Sequence, residues 1–383
     1  MLERIPLGGQ ATDLTGCHRL LEAARALGPR LRAASPLIEA QRRLPDDLFR
    51  ALAETGVFKA HLPRALGGQG ATLCDLAPVI EEIARADGSA GWLAYVGSEA
   101  MRQTLLLPEA IAARITASPH AFIAGMFTPG ASRAVAVPGG YRVTGHWHTC
   151  SGSLHADWII GGTTVYDGDQ PRRKQAGTPL TRLNFIPMSE VKVLDTWYVG
   201  GLKGTNSNDL VVEDAFVPEE YGVYDVEPPD LGLHLMVPLG IARAAMEEFI
   251  KLAPLRGPTR AGGTVNRDLP AVQREIGAAE AALRAARCYA LAALAEVDAR
   301  AAAGESTSPV QRDAFFMAAH HAAQVAVGVV DTVHRAAGSL GIFNASHLLR
   351  CFLDVHVAVA HVSLQPINLE SAGRRLMDQT SHS

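Results

Sequence analysis

Cysteine is sparse in this sequence and shows no pairing. The five present, Cys17, Cys74, Cys150, Cys288 and Cys351, are odd in number and widely scattered, with no CxxC spacing. That pattern argues against both a disulfide framework and a zinc cluster, and it fits a reducing cytoplasm. Aromatic residues are also few, at 6%, so the 48% hydrophobic fraction is mainly aliphatic. Charge has no strong sign: 35 Lys and Arg against 39 Asp and Glu leave a formal net charge of -4. No global basic field exists to collect phosphates, so nucleic-acid binding is not expected. Long apolar runs are missing too. The longest uncharged helical stretch, Phe315 to Val330, contains His320, His321 and Gln324, and no membrane span is expected. The opening MLERIPLGGQ carries early charge and no apolar run before a small-residue cleavage site, so no secretory signal is expected. No internal repeat, low-complexity tract or sustained heptad run is visible.

What remains is a globular chain of 383 residues, long enough for roughly two to three domains with a sizeable core. From Thr12 to Ala117 apolar residues recur at helical spacing, as in Leu76, Val79, Ile80 and Ile83, punctuated by Pro45, Gly56 and Pro63. Between Ala121 and Pro218 the character changes to β-branched runs separated by Gly, Pro and Asn-Asp turns, as in GGYRVTGHW and DWIIGGTTVY. Gly139-Gly140 between two such runs predicts a hairpin, and a β-meander or small barrel is expected. After Pro238 four helical blocks follow, over about 235–256, 270–302, 308–338 and 346–376, the third opened by Ser306-Thr307-Ser308-Pro309. Long antiparallel helices with short links predict a four-helix bundle. The expected domains are 1–120 helical, 121–218 β and 219–383 bundle.

This order, with its local motifs, resembles the acyl-CoA dehydrogenase superfamily, and in detail its branch of two-component flavin-dependent monooxygenases. The resemblance covers nearly the whole chain. RRLPDDLFRALAETGVFKAHLPRALGG and ARADGSAGWLAYVG are similar to the family's entry segment and cavity-wall helix. GMFTPGASRAVAVPGGYRVTGHWHTCSGSLHADW and TWYVGGLKGTNSNDLVVEDAFVP resemble its flavin-bearing sheet, and AAGSLGIFNASHLLRCFLDVHVAVAH the segment that reaches the active site. The resemblance implies an acyl-CoA dehydrogenase-like fold: an N-terminal helical domain, a central β-sheet or barrel, and a C-terminal four-helix bundle. It also implies reduced FMN supplied by a separate flavin reductase, molecular oxygen, a C4a-hydroperoxyflavin and hydroxylation of a small aromatic or polyketide-like substrate in a homotetramer.

Residue by residue, the resemblance puts Phe127, Thr128, Trp147, Cys150 and Ser151 at the flavin edge, with Ser151 the hydroxyl near N5. A wall of Trp92, Tyr95, His234 and Met236 is expected to face the substrate. In LDVHVAVAHVSLQ, Val362 stands where dehydrogenase relatives carry a catalytic glutamate, and its neighbour His361 matches the histidine of the oxygenase branch. Imidazole titrates near neutrality, which suits it to orient or deprotonate a phenolic group. On one helix, His356 and His361 would lie about 140° apart, which disfavours a two-histidine metal site, and no metal is expected. Gly263 stands where dehydrogenases carry the arginine that grips the FAD pyrophosphate, which favours FMN over FAD, with Arg260 or Arg267 left to meet a phosphate. Two alternatives stay open: a dehydrogenase-like oxidoreductase with a displaced base such as Asp230, and a catalytically silent relative.

Overall fold

A computed structural model of the chain describes residues 14–225, 231–258 and 262–380. Five helices come first: α1 (Leu14–Gln41), α2 (Asp46–Glu54), α3 (Leu73–Ala86), α4 (Gly88–Arg102) and α5 (Glu109–Ile115). Helix α3 starts at a capping box in which Thr72 and Asp75 satisfy each other's backbone N–H groups. Its Leu73, Leu76, Ile80 and Ile83 repeat at three and four residues and are buried, so one stripe of the helix becomes core. The next helix begins immediately, because Asp87 caps it by accepting from the Ala90 N–H. That abrupt corner sets α4 as a buried wall.

Nine strands form one sheet: β1 (Ile123–Met126), β2 (Arg133–Val137), β3 (Gly140–Cys150), β4 (Trp158–Asp167), β5 (Gln170–Pro171), β6 (Thr181–Pro187), β7 (Lys192–Leu194), β8 (Asn208–Pro218) and β9 (Gly222–Tyr224). The main path runs β7-β8-β3-β2-β4-β6-β9, with β1 and β5 both paired to β4. The expected hairpin is present: Val137 pairs with Gly140, and Gly139 takes a φ of +82° to close the turn. The expected meander or small barrel is corrected to a mixed sheet, because β1 and β2 both run parallel to β4. Parallel partners cannot be joined by a tight turn. The β2–β3 hairpin is therefore inserted between β1 and β4, and it carries β3 to the far side of β2.

The last third holds α6 (Met236–Leu252), α7 (Pro270–Ala302), α8 (Pro309–Ala337), α9 (His347–Ala358) and α10 (Leu369–Thr380). Helix α8 opens as expected, with Ser308 and Gln311 forming a capping box and Pro309 in the first turn. The single fourth block expected over 346–376 is corrected. Helix α9 stops at Ala358, two 3-10 turns follow over Val362–Leu364 and Pro366–Asn368, and α10 starts at Leu369. Pro366 disfavours helix at the residue before it, so the chain bends there. Helix α10 then docks on α8 through Arg375 and the buried Asp313, 2.7 Å apart. No helix among the described residues is long and apolar enough to cross a membrane.

Candidate active site

A cavity of about 530 Å³ lies where α4, the ends of β1 and β3, the loop between β7 and β8, and the end of α9 meet. Helix α4 contributes Trp92, Tyr95, Val96 and Glu99; the end of β1 contributes Gly125, Met126, Phe127 and Thr128. Thr149 and Ser151 come from the end of β3, Trp197, Leu202, Thr205 and Ser207 from the loop, and Ala360 to Ser363 from beyond α9. Gly125 has a φ of +133°, and a Cβ there would come within 2.0 Å of the Ile160 carbonyl oxygen. That glycine lets β1 lie tight against β4 under the cavity floor.

Four side chains form a directional hydrogen-bond chain along one edge. Trp92 Nε1 donates to Ser151 Oγ at 3.1 Å, and Ser151 and Ser207 hydroxyls lie 2.8 Å apart. Ser207 is 2.8 Å from Thr205 Oγ1, and Thr205 donates to the Leu202 carbonyl at 2.8 Å. Because Thr205 spends its proton on a carbonyl, Ser207 must donate to Thr205 and Ser151 to Ser207. Ser151 therefore keeps one oxygen lone pair for the cavity. The loop end of the chain is fixed from α9: Leu202 N–H donates to Asp354 Oδ1 at 2.6 Å, and the Leu202 carbonyl also accepts from Trp197 Nε1 at 3.1 Å.

His361 lines the same cavity, with its ring centroid 5.4 Å from that of Trp92. It is not on a helix, which corrects the expectation that placed it on one helix with His356, about 140° away. It caps the 3-10 turn Val362–Leu364, its Nδ1 accepting from the Ser363 N–H at 3.3 Å. A lone pair committed at Nδ1 places the ring proton on Nε2. Burial pulls the His361 pKa below its ordinary value, which keeps the imidazole neutral at pH 7. Behind it lies His234, fully buried, 5.9 Å from His361 and 5.8 Å from Tyr95 between ring centroids. Neither His234 ring nitrogen has a hydrogen-bond partner among the described residues, and burial pushes its pKa well down.

Glu99 is buried, and its Oε1 accepts from Arg102 Nε at 3.1 Å and Gln103 Nε2 at 3.2 Å. Its Oε2 takes no hydrogen bond among the described residues and sits beside Gly232, where a Cβ would be 3.6 Å from it. The cavity thus has a hydroxyl edge, an N–H donor at His361 and a carboxylate oxygen that takes no hydrogen bond among the described residues, on walls that are otherwise mostly apolar.

Of the residues expected at the site, the structure brings together Trp92, Tyr95, Phe127, Thr128, Ser151 and His361. Trp147 and Cys150 do not line the cavity. Trp147 is buried against β4 and donates to the Gly162 carbonyl at 2.8 Å, while the Cys150 thiol is buried, pushed up to about 12, and turned back toward the Trp147 carbonyl. Met236 is buried in the first turn of α6, and His234 forms a layer behind the wall. Arg260 and Asp230 lie outside the described residues. Lys203 pairs with Glu39 at 3.1 Å, away from the cavity. Sequence reasoning missed Thr149, Trp197, Thr205, Ser207 and Glu99; GLKGTNSND, already singled out, held the signal for two of them.

A slot with aromatic walls and hydroxyls along one edge fits the flat, polar-edged isoalloxazine of a flavin. No lysine or arginine lines it among the described residues. Comparison with known proteins supports the same group. Residues 22–108 match the acyl-CoA dehydrogenase N-terminal domain and residues 233–366 the C-terminal domain. An indole-3-acetate monooxygenase of Pseudomonas putida is 32% identical over 361 residues, which cover 90% of each chain. The flavin-dependent monooxygenase oxygenase subunit HsaA of Rhodococcus jostii is 28% identical over 89% of this chain and 93% of its own length. Among solved structures, XiaF from Streptomyces, in complex with FADH2 and glycerol, superposes with a TM-score of 0.84 at 23% identity, over 94% of this chain and 96% of that one, a likeness of fold.

Proposed function

The chain belongs to the flavin-dependent monooxygenases of the acyl-CoA dehydrogenase superfamily, and on that premise we propose that it is the oxygenase component of a two-component pair, taking reduced FMN from a separate reductase to hydroxylate a small aromatic substrate. The observation that carries this reading is that the Ser151 hydroxyl edge and the neutral His361 imidazole adjoin the same Trp92 ring and line one mostly apolar cavity. Bound reduced flavin supplies the two electrons with which one oxygen atom of O2 enters the substrate and the other leaves as water.

The residues of this chain do the rest. Phe127, Thr128, Thr149 and Ser151 would hold the ring, with Ser151 offering an oxygen lone pair to an N–H on its edge. The apolar walls exclude water, which strengthens every hydrogen bond inside. His361 Nε2–H orients a substrate oxygen. Glu99 Oε2 receives an O–H or N–H at another point of the same cavity, which favours phenols and indoles over substrates whose only polar group is an anion. Support for FMN over FAD comes from Gly263, an exposed residue without a side chain where dehydrogenases use arginine. A homotetramer is supported by exposed apolar side chains at Ile342, Phe343, Ile367 and Leu376 in the last third.

Mixing the protein with reduced FMN, indole and ¹⁸O2 tests the reading: one labelled oxygen per product molecule is expected. Tightly held FAD that an acyl thioester bleaches without oxygen would favour dehydrogenase chemistry instead.

A further inference from the structure

The outer side of the β3 wall carries a constellation that oxygenation does not use. His146 and His148 are two residues apart on β3, so both side chains leave the same face of the strand. The neighbouring strand is out of step with them at one point. Trp147 pairs with Leu210 and Cys150 with Asn208, so His148 and Thr149 together oppose Asp209 in a β-bulge. The bulge draws three donor atoms to one place. His146 Nε2 lies 2.9 Å and His148 Nδ1 2.7 Å from the same oxygen, Asp209 Oδ2. All three atoms fall within 4.8 Å of one another, and the two imidazole centroids are 4.2 Å apart.

The carboxylate is held in place from behind. Asp209 Oδ1 accepts from the Thr149 N–H at 3.3 Å, and the Asp209 N–H donates to Thr196 Oγ1 at 3.0 Å. Its own side chain is mostly covered, whereas both histidines are exposed, leaving an open side for water ligands.

We propose that His146, His148 and Asp209 form a binding site for a divalent first-row transition metal ion of the zinc type, at the bulge and outside the cavity lining. Two neutral imidazoles and one carboxylate are the donor set that borderline cations take, whereas magnesium and calcium require more oxygen ligands than this site offers. His146 binds through Nε2 and His148 through Nδ1, the nitrogens already turned to Asp209. The ion replaces the two hydrogen bonds to Asp209 Oδ2 and leaves the bond from Thr149 to Oδ1 in place. Thr149 lines the cavity with a φ of +55°, so the metal fastens the turn that aims this residue inward.

The test is calorimetric titration of tag-free, full-length protein with zinc chloride, with cobalt(II) absorption as a second readout. One ion per chain is expected, with a dissociation constant on the order of micromolar and a visible cobalt band from a low-coordinate site. His146→Ala and His148→Ala should each weaken binding by at least about tenfold. His356→Ala, which removes an exposed histidine bonded to Asp331 and packed on Phe352, should leave it unchanged. Both histidines are on the surface, and unchanged circular dichroism of the variants verifies that they fold. No heat up to millimolar zinc, or binding that survives both substitutions, overturns the proposal. Neither result bears on the oxygenase reading, which the labelled-oxygen experiment tests separately.

Discussion

Replacing His361 by asparagine separates what the imidazole does for the turn from what it does for the substrate. In the native protein Nδ1 caps the turn by accepting from Ser363, and Nε2–H is left for the cavity. An asparagine Oδ1 occupies nearly the position of Nδ1 and is a preferred cap, so His361→Asn keeps the turn and loses the reach of Nε2. His361→Ala loses both, with a cap cost of about 0.5–2 kcal/mol in thermal unfolding. A neutral hydrogen bond to substrate contributes about 0.5–1.5 kcal/mol, so kcat/KM of the asparagine variant should fall by about 2- to 13-fold. A general base would lose about 10²- to 10⁴-fold instead. The assay measures product and hydrogen peroxide separately at saturating reduced FMN across pH 6–9. Burial lowers the His361 pKa, and protonation at Nδ1 would remove the acceptor of the Ser363 N–H while leaving Nε2–H in place, so the loss in the asparagine variant should not grow toward high pH. A thousandfold loss in the asparagine variant would refute the donor role, and no loss at all would refute contact with substrate.

Ser207→Ala removes the acceptor of the Ser151 proton, so the hydrogen-bond chain breaks in the middle. The fraction of oxygen released as peroxide should rise, with a stability loss of about 1 kcal/mol; unchanged coupling would remove the chain from the mechanism. Gly125→Ala combines a positive φ with a clash against the Ile160 carbonyl, and should lower stability by at least about 3 kcal/mol in a denaturant titration. Asp354 is fully buried, and burial first, then the nearby Asp87, raises its pKa to about 8, against opposing pulls from the Leu202 N–H and Arg350. The folded state thus binds the proton more tightly than the unfolded chain: its favourable contribution is complete below the unfolded value near 4 and is lost as pH rises to about 8. Asp354→Asn keeps an oxygen for Leu202 and cannot ionise. Its stability relative to wild type should climb between pH 5 and 8 by up to about 1.4 kcal/mol per unit, and a flat difference would contradict the assignment.

The sequence by itself determined the local features, because local physics is written in neighbouring residues. Ser308-Pro309 started α8, Gly139 closed the β2–β3 hairpin, and the alternation of helical and β-branched stretches set the order of elements. It also pointed to His361 and Ser151, through the motifs around them. Tertiary structure decided which faces those residues present. Strict alternation along β3 carries a residue's face forward unchanged, but the bulge at His148 and Thr149 inserts one residue and reverses the faces beyond it. Trp147 and Cys150 consequently point into the protein interior while Thr149 and Ser151 reach the cavity. The hydroxyl chain joins residues 92, 151, 205 and 207, and the carboxylate that fixes its end is at 354, so no window of sequence contains it. The end of α9 was equally out of view. No breaker separates Ala358 from His361, and the turn that frees the imidazole to cap Ser363 depends on how this segment packs against α8, where His320 Nδ1 lies 2.9 Å from the Leu364 carbonyl.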